Sequence, residues 1–346
     1  MKAIKATTLG HAEIVEVPEP EVKANTILVR PSYVGINPCD HMVTDYLSHW
    51  HQDQILGCDY SGTVEEVGSD VETTLKPGDK VFGPLAAGAA YDHSRGAFGE
   101  LLPAYGDLCF AKPTSISEAG AASLGIALST IAVSFYSDFG LPLPDENPES
   151  GRGKPFFVYG GSTTTGLLAI QFAKLSGFRV LTVCSPKNFE LVKSRGADEA
   201  YDYHDLEDCA KEIKVSVGDS LKYAYCCVTS VEAPKLCAEV LTPTGAKFVT
   251  IAGPMPERGG IYSHFTFGQS VMAESYKTFA GRTPQTAERK ELGLRVWRMA
   301  VKLLEEGKLK PPPLEVREGL EGALQGIADL REGKVSGKKI VSRMGL

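Results

Sequence analysis

FFVYGGSTTTGLLAIQFAKLSG, residues 156–177, decides how this chain folds. Phe156-Phe157-Val158-Tyr159 is a short apolar run ended by glycine, which suits a buried strand. Leu168, Phe172 and Leu175 then fall at i, i+4 and i+7, one face of a helix that Gly177 stops. Between strand and helix lies Tyr159-Gly160-Gly161-Ser162-Thr163-Thr164-Thr165-Gly166. A strand, a tight glycine turn and a helix N-terminus turn backbone N–H groups and the helix dipole toward an anion, and small residues allow close approach. The strict G-x-G-x-x-G spacing is absent, and hydroxyls that can donate to phosphate occupy the turn instead. The stretch reads as the pyrophosphate loop of a dinucleotide site.

The next strand, Arg179 to Cys184, decides which dinucleotide. An NAD site places a carboxylate at this strand's end to accept from the ribose 2′-hydroxyl. Here the chain runs Cys184-Ser185-Pro186-Lys187-Asn188, with no acid until Glu190. A carboxylate repels a 2′-phosphate, whereas Ser185 and Lys187 bind one, so the expected cofactor is NADPH. A short helix over Phe189–Arg195 and buried strands over Tyr223–Val228 and Ala246–Ala252 continue the alternation. Apolar strands alternating with helices give a parallel sheet covered on both faces.

Upstream the texture differs. Strand-like runs at Thr26–Arg30, Ser61–Gly68 and Lys76–Gly83 are separated by turn signals, and 84–98 reads as a Gly/Ala-rich loop. The first 125 or so residues therefore read as all-β. Ser117 to Tyr136 is Ala-rich with helical spacing, and 141–155, with four prolines, reads as an exposed loop. The tail holds helices over Ala287–Glu306 and Leu320–Arg331, split by Pro311-Pro312-Pro313, and a last strand over Lys339–Ser342.

Composition bounds the rest. A length of 346 residues suggests two domains. Hydrophobic residues at 43% and charged residues at 23% exclude disordered and fibrous classes. A net charge of −7 without a Lys/Arg block offers nucleic acid no footprint. No apolar run is long enough to span a membrane. The start, Met1 to Ala6, lacks the apolar core of a signal peptide. The 8 cysteines include no C-x2-C pair and read as free thiols in a reducing cytoplasm. Cys226-Cys227, on a buried strand, reads as packing.

Several further motifs stand in a telling order: Gly-Ile-Asn-Pro-Cys-Asp (35–40), Gly-Cys-Asp-Tyr-Ser-Gly-Thr-Val (57–64), Lys-Pro-Gly-Asp-Lys-Val-Phe-Gly (76–83), Gly-Ala-Phe-Gly-Glu (96–100) and Lys-Val-Ser-Gly-Lys-Lys-Ile-Val (334–341). With the loop at 159–166 they resemble the medium-chain dehydrogenase/reductase superfamily, in its zinc-free branch of quinone oxidoreductases and enoyl reductases. The loop and the Leu-Pro-Leu-Pro insert at 141–144 resemble fungal trans-acting enoyl reductases, partners of polyketide synthases.

The resemblance implies an α/β fold. A GroES-like β-barrel substrate domain (1–127 and 278–346) would be split by a Rossmann NADPH-binding domain with a doubly wound parallel sheet (128–277). It implies that Gly161, Ser162, Thr163 and Thr164 hold the pyrophosphate, and that Ser185, Lys187 and Tyr203 hold the 2′-phosphate and adenosine end. Thr130 and Ile251-Ala252-Gly253 would line the nicotinamide ribose, Asn37 the nicotinamide face, and Ser336 would lie near the cofactor. Asn37, His41 and Thr130 are the expected catalytic residues. Zinc members place a Cys where Asn37 stands and a His-Glu pair where Cys58-Asp59 stands, so no metal is expected.

Fungal relatives carry Lys two residues after the Asp of Asn-Pro-x-Asp. Met42 replaces it here, and the neighbouring His41 is its expected stand-in. Met42, Trp50 (in His49-Trp50-His51, near Tyr46) and Phe267, with Phe265 and Met272, are the expected substrate contacts; His93 reads as plain loop.

The implied reaction is NADPH-dependent hydride transfer to the β-carbon of an α,β-unsaturated thioester held by a polyketide synthase carrier. The enolate that forms needs hydrogen-bond donors and then a proton. A stand-alone quinone or enone reductase is the alternative reading, as is a non-redox catalyst or binding partner that keeps NADPH. The expected oligomeric state is monomer or homodimer.

Overall fold

The computed structural model describes residues 1–45, 53–87, 94–272, 275–278, 281–284 and 286–345, with the backbone alone at 275–278 and 281–284. The chain divides into two compact units: Met1–Ser129 with Gln269–Leu346, and Thr130–Gly268.

The first unit is built on a largely antiparallel sheet. Its order is Leu314–Glu318, Lys339–Arg343, Thr26–Gly35, Asp59–Val67, Lys80–Pro84 and Phe110–Ala111, and Leu102–Tyr105 also pairs with Thr26–Gly35. The first two strands run parallel and the others antiparallel. Pro31 cannot donate to the ladder, and the register of the long Thr26–Gly35 strand shifts between Pro31 and Tyr33. A hairpin, Lys2–Thr8 with His11–Glu16, turns at Gly10, whose φ of 80° suits glycine. Ile27, Val29, Val34, Leu56, Tyr60, Val81, Phe98 and Ile340 form the core.

The second unit is a six-stranded sheet, parallel throughout. Its order is Glu199–Tyr201, Arg179–Val183, Pro155–Tyr159, Tyr223–Cys226, Ala246–Thr250 and Ile261–Phe265. Numbered along the chain that is 3-2-1-4-5-6, the doubly wound Rossmann order, whose ligands bind outside the strands' carboxyl ends where the winding reverses. All of Pro155–Tyr159 is buried, and its neighbouring side chains serve opposite faces. Phe156 meets Phe135, Phe139, Phe178 and Tyr223 at ring separations of 5.1–5.9 Å. Phe157 packs with Leu181, Ala224, Phe248 and helices Leu206–Val217 and Ala233–Val240.

Several readings change. The first 125 residues are not all β, because helix Pro38–Asp45 lies among the strands. The helical stretch after Ser117 is three pieces: Glu118–Ala121, Gly125–Ile131 and a π-helical Ala132–Asp138. The break before Gly125 has a cause. Asp59 Oδ1 accepts from the Ile126 N–H at 2.5 Å, and a Cβ on Gly125 would fall 2.5 Å from that oxygen. The loop 141–155 is not exposed throughout, since Leu141 and Leu143 are buried, as their apolar side chains demand. Ile261–Phe265, missed in the sequence, is the sixth strand.

Candidate functional site

The second unit collects most of the expected cofactor residues at the carboxyl ends of its strands. After Tyr159 the chain turns at Gly160, with φ of 84°, and enters helix Thr164–Leu175. Gly161 lies against the neighbouring strand, where a Cβ would stand 2.0 Å from Thr182 Oγ1; a Cβ on Gly166 would stand 2.3 Å from the Gly160 carbonyl. Thr163 is the N-cap. Its hydroxyl accepts from Gly166 N–H at 3.0 Å and donates to Gly160 O at 2.8 Å. That hydroxyl is spent inside the turn, so Thr163 shapes the loop. Ser162 and Thr164, half-buried beside it, carry the hydroxyls suited to phosphate. The N–H groups of a helix's first turn have no intrahelical acceptor, which completes a cradle for a doubly charged group.

At the second strand's end, Ser185 Oγ and Tyr203 Oη are hydrogen-bonded at 3.1 Å, although 18 positions apart. Lys187 is exposed on the turn Pro186–Asn188, with no acidic partner among the described residues. Two bonded hydroxyls and an exposed lysine thus stand at the turn where an NAD site needs a carboxylate. Tyr203 also stacks on His204, centroids 4.6 Å apart, and His204 is bonded to Asp202. Neither was singled out in the sequence. Ile251 follows the fifth strand and its N–H donates to Cys226 O at 3.1 Å. Thr130 is buried and in close contact with Gly268, where a Cβ would fall 2.3 Å from its hydroxyl. Phe267 is half-buried.

The first unit holds a buried polar knot. Asn37 Nδ2 donates to Asp59 Oδ2 at 2.9 Å and to Gly35 O at 3.3 Å. Lys339 Nζ donates to Asp59 Oδ2 at 2.9 Å and to Asn37 Oδ1. Lys339 side-chain exposure is 4% and that of Asp59 is 0%, so the pair is desolvated. Asn37 N–H donates to Asp40 Oδ2 at 2.7 Å. Burial pushes the Asp40 carboxyl up to about 7, against the pull of the Asn37 N–H and the Lys339 charge. Both Asn37 amide termini are therefore committed within the protein, which fixes the side chain in one orientation. The sequence pointed to Asn37 but not to Lys339 or Asp59. A lysine opening a strand whose next three residues, Ile340, Val341 and Ser342, are all buried is what marks Lys339 in the structure.

Helix Pro38–Asp45 carries His41 and Met42, both half-buried. His41 Nδ1 lies 2.9 Å from Asp45 Oδ2, and Arg331 Nη2 lies 2.7 Å from Asp45 Oδ1 and donates to Thr44 Oγ1 at 2.7 Å. His41 is thus braced, through Asp45, to the end of helix Gly319–Arg331. Ser336 is exposed near the carboxyl end of the chain. Trp50, with Tyr46, His49, His51 and His93, lies outside the described residues. Phe265 is 42% exposed at the end of the sixth strand, and Met272 is buried. No helix among the described residues is long and apolar enough to cross a membrane.

Known proteins resemble both units. The alcohol dehydrogenase GroES-like domain matches residues 23–121, and the zinc-binding dehydrogenase family matches 164–285. A trans-enoyl reductase of Alternaria alternata is 33% identical over 346 residues, covering 99% of this chain and 98% of its own. The enoyl reductase component of lovastatin nonaketide synthase from Aspergillus terreus is 34% identical, covering 98% and 95%. The crystal structure of CurK enoyl reductase superimposes with a TM-score of 0.78 at 20% identity, over 99% of each chain. The quinone oxidoreductase of Coxiella burnetii does so at 0.74 and 22%, over 100% and 99%. At these identities the solved structures speak for the fold.

One matching family is described as zinc-binding, and the donor set here can be tested against a resident zinc. Cys39, Asp40 and Cys58 bring ligand atoms within 4.8 Å of one another. Asp40 Oδ2 already accepts from the Asn37 N–H at 2.7 Å, and no histidine among the described residues joins the set. Lys339 already sets a cation against Asp59 and Asn37. These residues do not fit a resident zinc.

Proposed function

The chain belongs to the trans-enoyl reductase family of the medium-chain dehydrogenase/reductase superfamily, and from that membership we propose that it is an NADPH-dependent enoyl reductase. Its substrate is an α,β-unsaturated polyketide thioester presented by the carrier of a polyketide synthase. The observation that carries the reading is the strand-end set of Ser185, Lys187 and Tyr203 beside the Gly160–Gly166 turn, in a chain whose relatives are named for enoyl reduction.

NADPH, when bound, supplies a hydride from its nicotinamide ring. The chain's own part is to bind and orient. Gly161, Ser162 and Thr164 take the pyrophosphate, and Thr163 holds their turn closed. Ser185, Lys187 and Tyr203 take the 2′-phosphate, Ile251 and Thr130 the nicotinamide riboside, and Ser336 assists from the C-terminal segment. Asn37, locked by Lys339 and Asp59, gives the reacting end a fixed amide wall. Fixed geometry of this kind lowers the entropy cost of bringing hydride donor and alkene together. His41, braced by Asp45, is the imidazole proposed to stand in for the relatives' lysine, and Met42, Trp50 and Phe267 are the proposed acyl contacts.

The test uses C4-deuterated NADPH with an α,β-unsaturated acyl pantetheine and mass spectrometry of the product. Deuterium at the β-carbon of a saturated thioester is expected. Turnover of free quinone with none of the thioester would replace the reading by a stand-alone quinone reductase. Conversion without NADPH oxidation would replace it by non-redox chemistry.

Lys187 sets cofactor choice. A charge-assisted bond to phosphate is worth about 1.5–3 kcal/mol, or about 10–100-fold in affinity. Lys187→Ala is expected to weaken NADPH by that factor and leave NADH nearly unchanged, measured by nucleotide fluorescence. Equal weakening of both would remove the 2′-phosphate assignment.

A further inference from the structure

The polar knot of the first unit has a feature that reduction does not use. Cys39 Sγ and Cys58 Sγ are in contact at 3.7 Å, across 19 positions of chain. No other pair of thiols makes such a contact among the described residues, and all 8 cysteines are free. Cys39 is half-buried on the first turn of helix Pro38–Asp45, and Cys58, 1% exposed, directly precedes strand Asp59–Val67. Gln269 Nε2 donates to Ala87 O at 2.7 Å and lies 3.7 Å from Cys58 Sγ, so the inner thiol is held where the outer one meets it.

We propose that Cys39 and Cys58 form an oxidation-sensitive dithiol, closed to a disulfide by peroxide and reopened by thiols, that governs the enoyl reductase activity. The activity half rests on the reading given above; the chemistry does not. In the forward step the Cys39 thiol gives up its proton as its sulfur attacks one peroxide oxygen, the O–O bond breaks, the departing hydroxide takes that proton, and a sulfenic acid and one water result. Cys58 then attacks that sulfur, the S–O bond breaks, and a second water leaves. Two S–H bonds and one O–O bond are exchanged for one S–S bond and two waters. The sulfurs give up two electrons and the peroxide takes them. A dithiol such as dithiothreitol returns the electrons by exchange.

The consequence for activity follows from where the sulfurs sit. A disulfide needs its sulfurs at about 2.05 Å, against 3.7 Å here, so closing it draws the two side chains together and pulls on the segments that carry them. Those segments carry Asn37, two residues before Cys39, and Asp59, next to Cys58. The bond from Asn37 Nδ2 to Asp59 Oδ2 at 2.9 Å, and Lys339 against both, depend on their present spacing. Packed interiors absorb such a shift poorly. The hydrogen bond to Cys58 and the burial that keep Cys39 protonated preserve the reduced pair until an oxidant is in excess.

The full-length protein is treated with hydrogen peroxide, then read by intact mass, peptide mapping and rate with an enoyl pantetheine. Loss of two hydrogens, a peptide linking Cys39 to Cys58, at least a tenfold fall in rate and recovery with dithiothreitol are expected. Cys39→Ser and Cys58→Ala should each abolish the linked peptide and keep their own untreated rate through the treatment. Added oxygen atoms in place of the link, a link through other cysteines, or a rate loss that persists in Cys39→Ser would overturn the proposal. So would zinc found bound to the two sulfurs in the untreated protein. An untreated protein with no enoyl reduction would count against the proposed function, while the mass and the linked peptide still decide the dithiol.

Discussion

Lys339→Met is expected to lower the melting temperature by about 10 °C and to reduce enoyl reduction to background. The ammonium sits at 4% exposure against a carboxylate at 0% and the Asn37 carbonyl. Removing one member of a buried ion pair costs about 3–5 kcal/mol, because the other charge is left desolvated and unpaired. In a unit of this size each kcal/mol moves the midpoint by about 2–4 °C. Asn37 loses the donor that holds its Oδ1 and keeps only the bonds from Nδ2 to Asp59 Oδ2 and Gly35 O, so its amide is less firmly fixed, and the fall in activity tests the role proposed for it.

The cost should depend on pH in a fixed sense. Asp40, raised to about 7 by burial, loses the cation that pulls it back, so its folded-state value rises further above the unfolded one. A raised acid is compatible with folding when protonated and opposes folding when ionised. The destabilisation should therefore be largest near pH 8 and shrink toward pH 5. Pairing the change with Asp59→Asn removes the stranded charge and should recover most of the stability without recovering activity. A Lys339→Met protein that melts like wild type at pH 8 would show the ammonium to be hydrated and the knot incidental.

That lysine also marks where the sequence stopped being legible. The strands at Pro155–Tyr159, Arg179–Val183, Tyr223–Cys226 and Ala246–Thr250 could be read because most of their residues are buried and apolar. The edge strand Ile261–Phe265 exposes Tyr262 and Phe265 and carries His264, so its pattern resembles that of a loop. Within the Gly160–Gly166 turn, spacing placed the hydroxyls but could not say which one the turn would consume; Thr163 became the cap because its φ and ψ, −71° and 160°, aim Oγ1 back at Gly166 N–H. The knot was less accessible still. Asn37, Asp59 and Lys339 meet across separations of up to 302 positions, and only the strand register selects Lys339, rather than Lys338, to face inward.

Gly161→Ala is expected to raise the NADPH dissociation constant at least tenfold and to lower the melting temperature by a few degrees. The reason is a single atom with nowhere to go. The added Cβ would stand 2.0 Å from Thr182 Oγ1, 3.0 Å from Thr182 Cβ and 3.1 Å from Ile170 Cδ1. Thr182 is fully buried and its hydroxyl donates to Val158 O at 2.7 Å, between the first and second strands of the parallel sheet. If the hydroxyl yields, it loses that acceptor in the interior, at about 1–3 kcal/mol. If instead the turn moves outward, the N–H groups at the start of helix Thr164–Leu175 leave the positions from which they face a pyrophosphate. Stability bears the first cost and affinity the second, and the two readouts divide them. Thr182→Ala removes the obstructing oxygen, so the double variant should bind NADPH more tightly than Gly161→Ala alone, a coupling expected between groups in direct contact. Gly259→Ala, at a glycine with nothing within 4 Å of its Cβ position, serves as the control and should bind as wild type. Wild-type NADPH affinity in Gly161→Ala would mean that the turn does not hold the cofactor, and the nucleotide site would have to be sought elsewhere on the sheet.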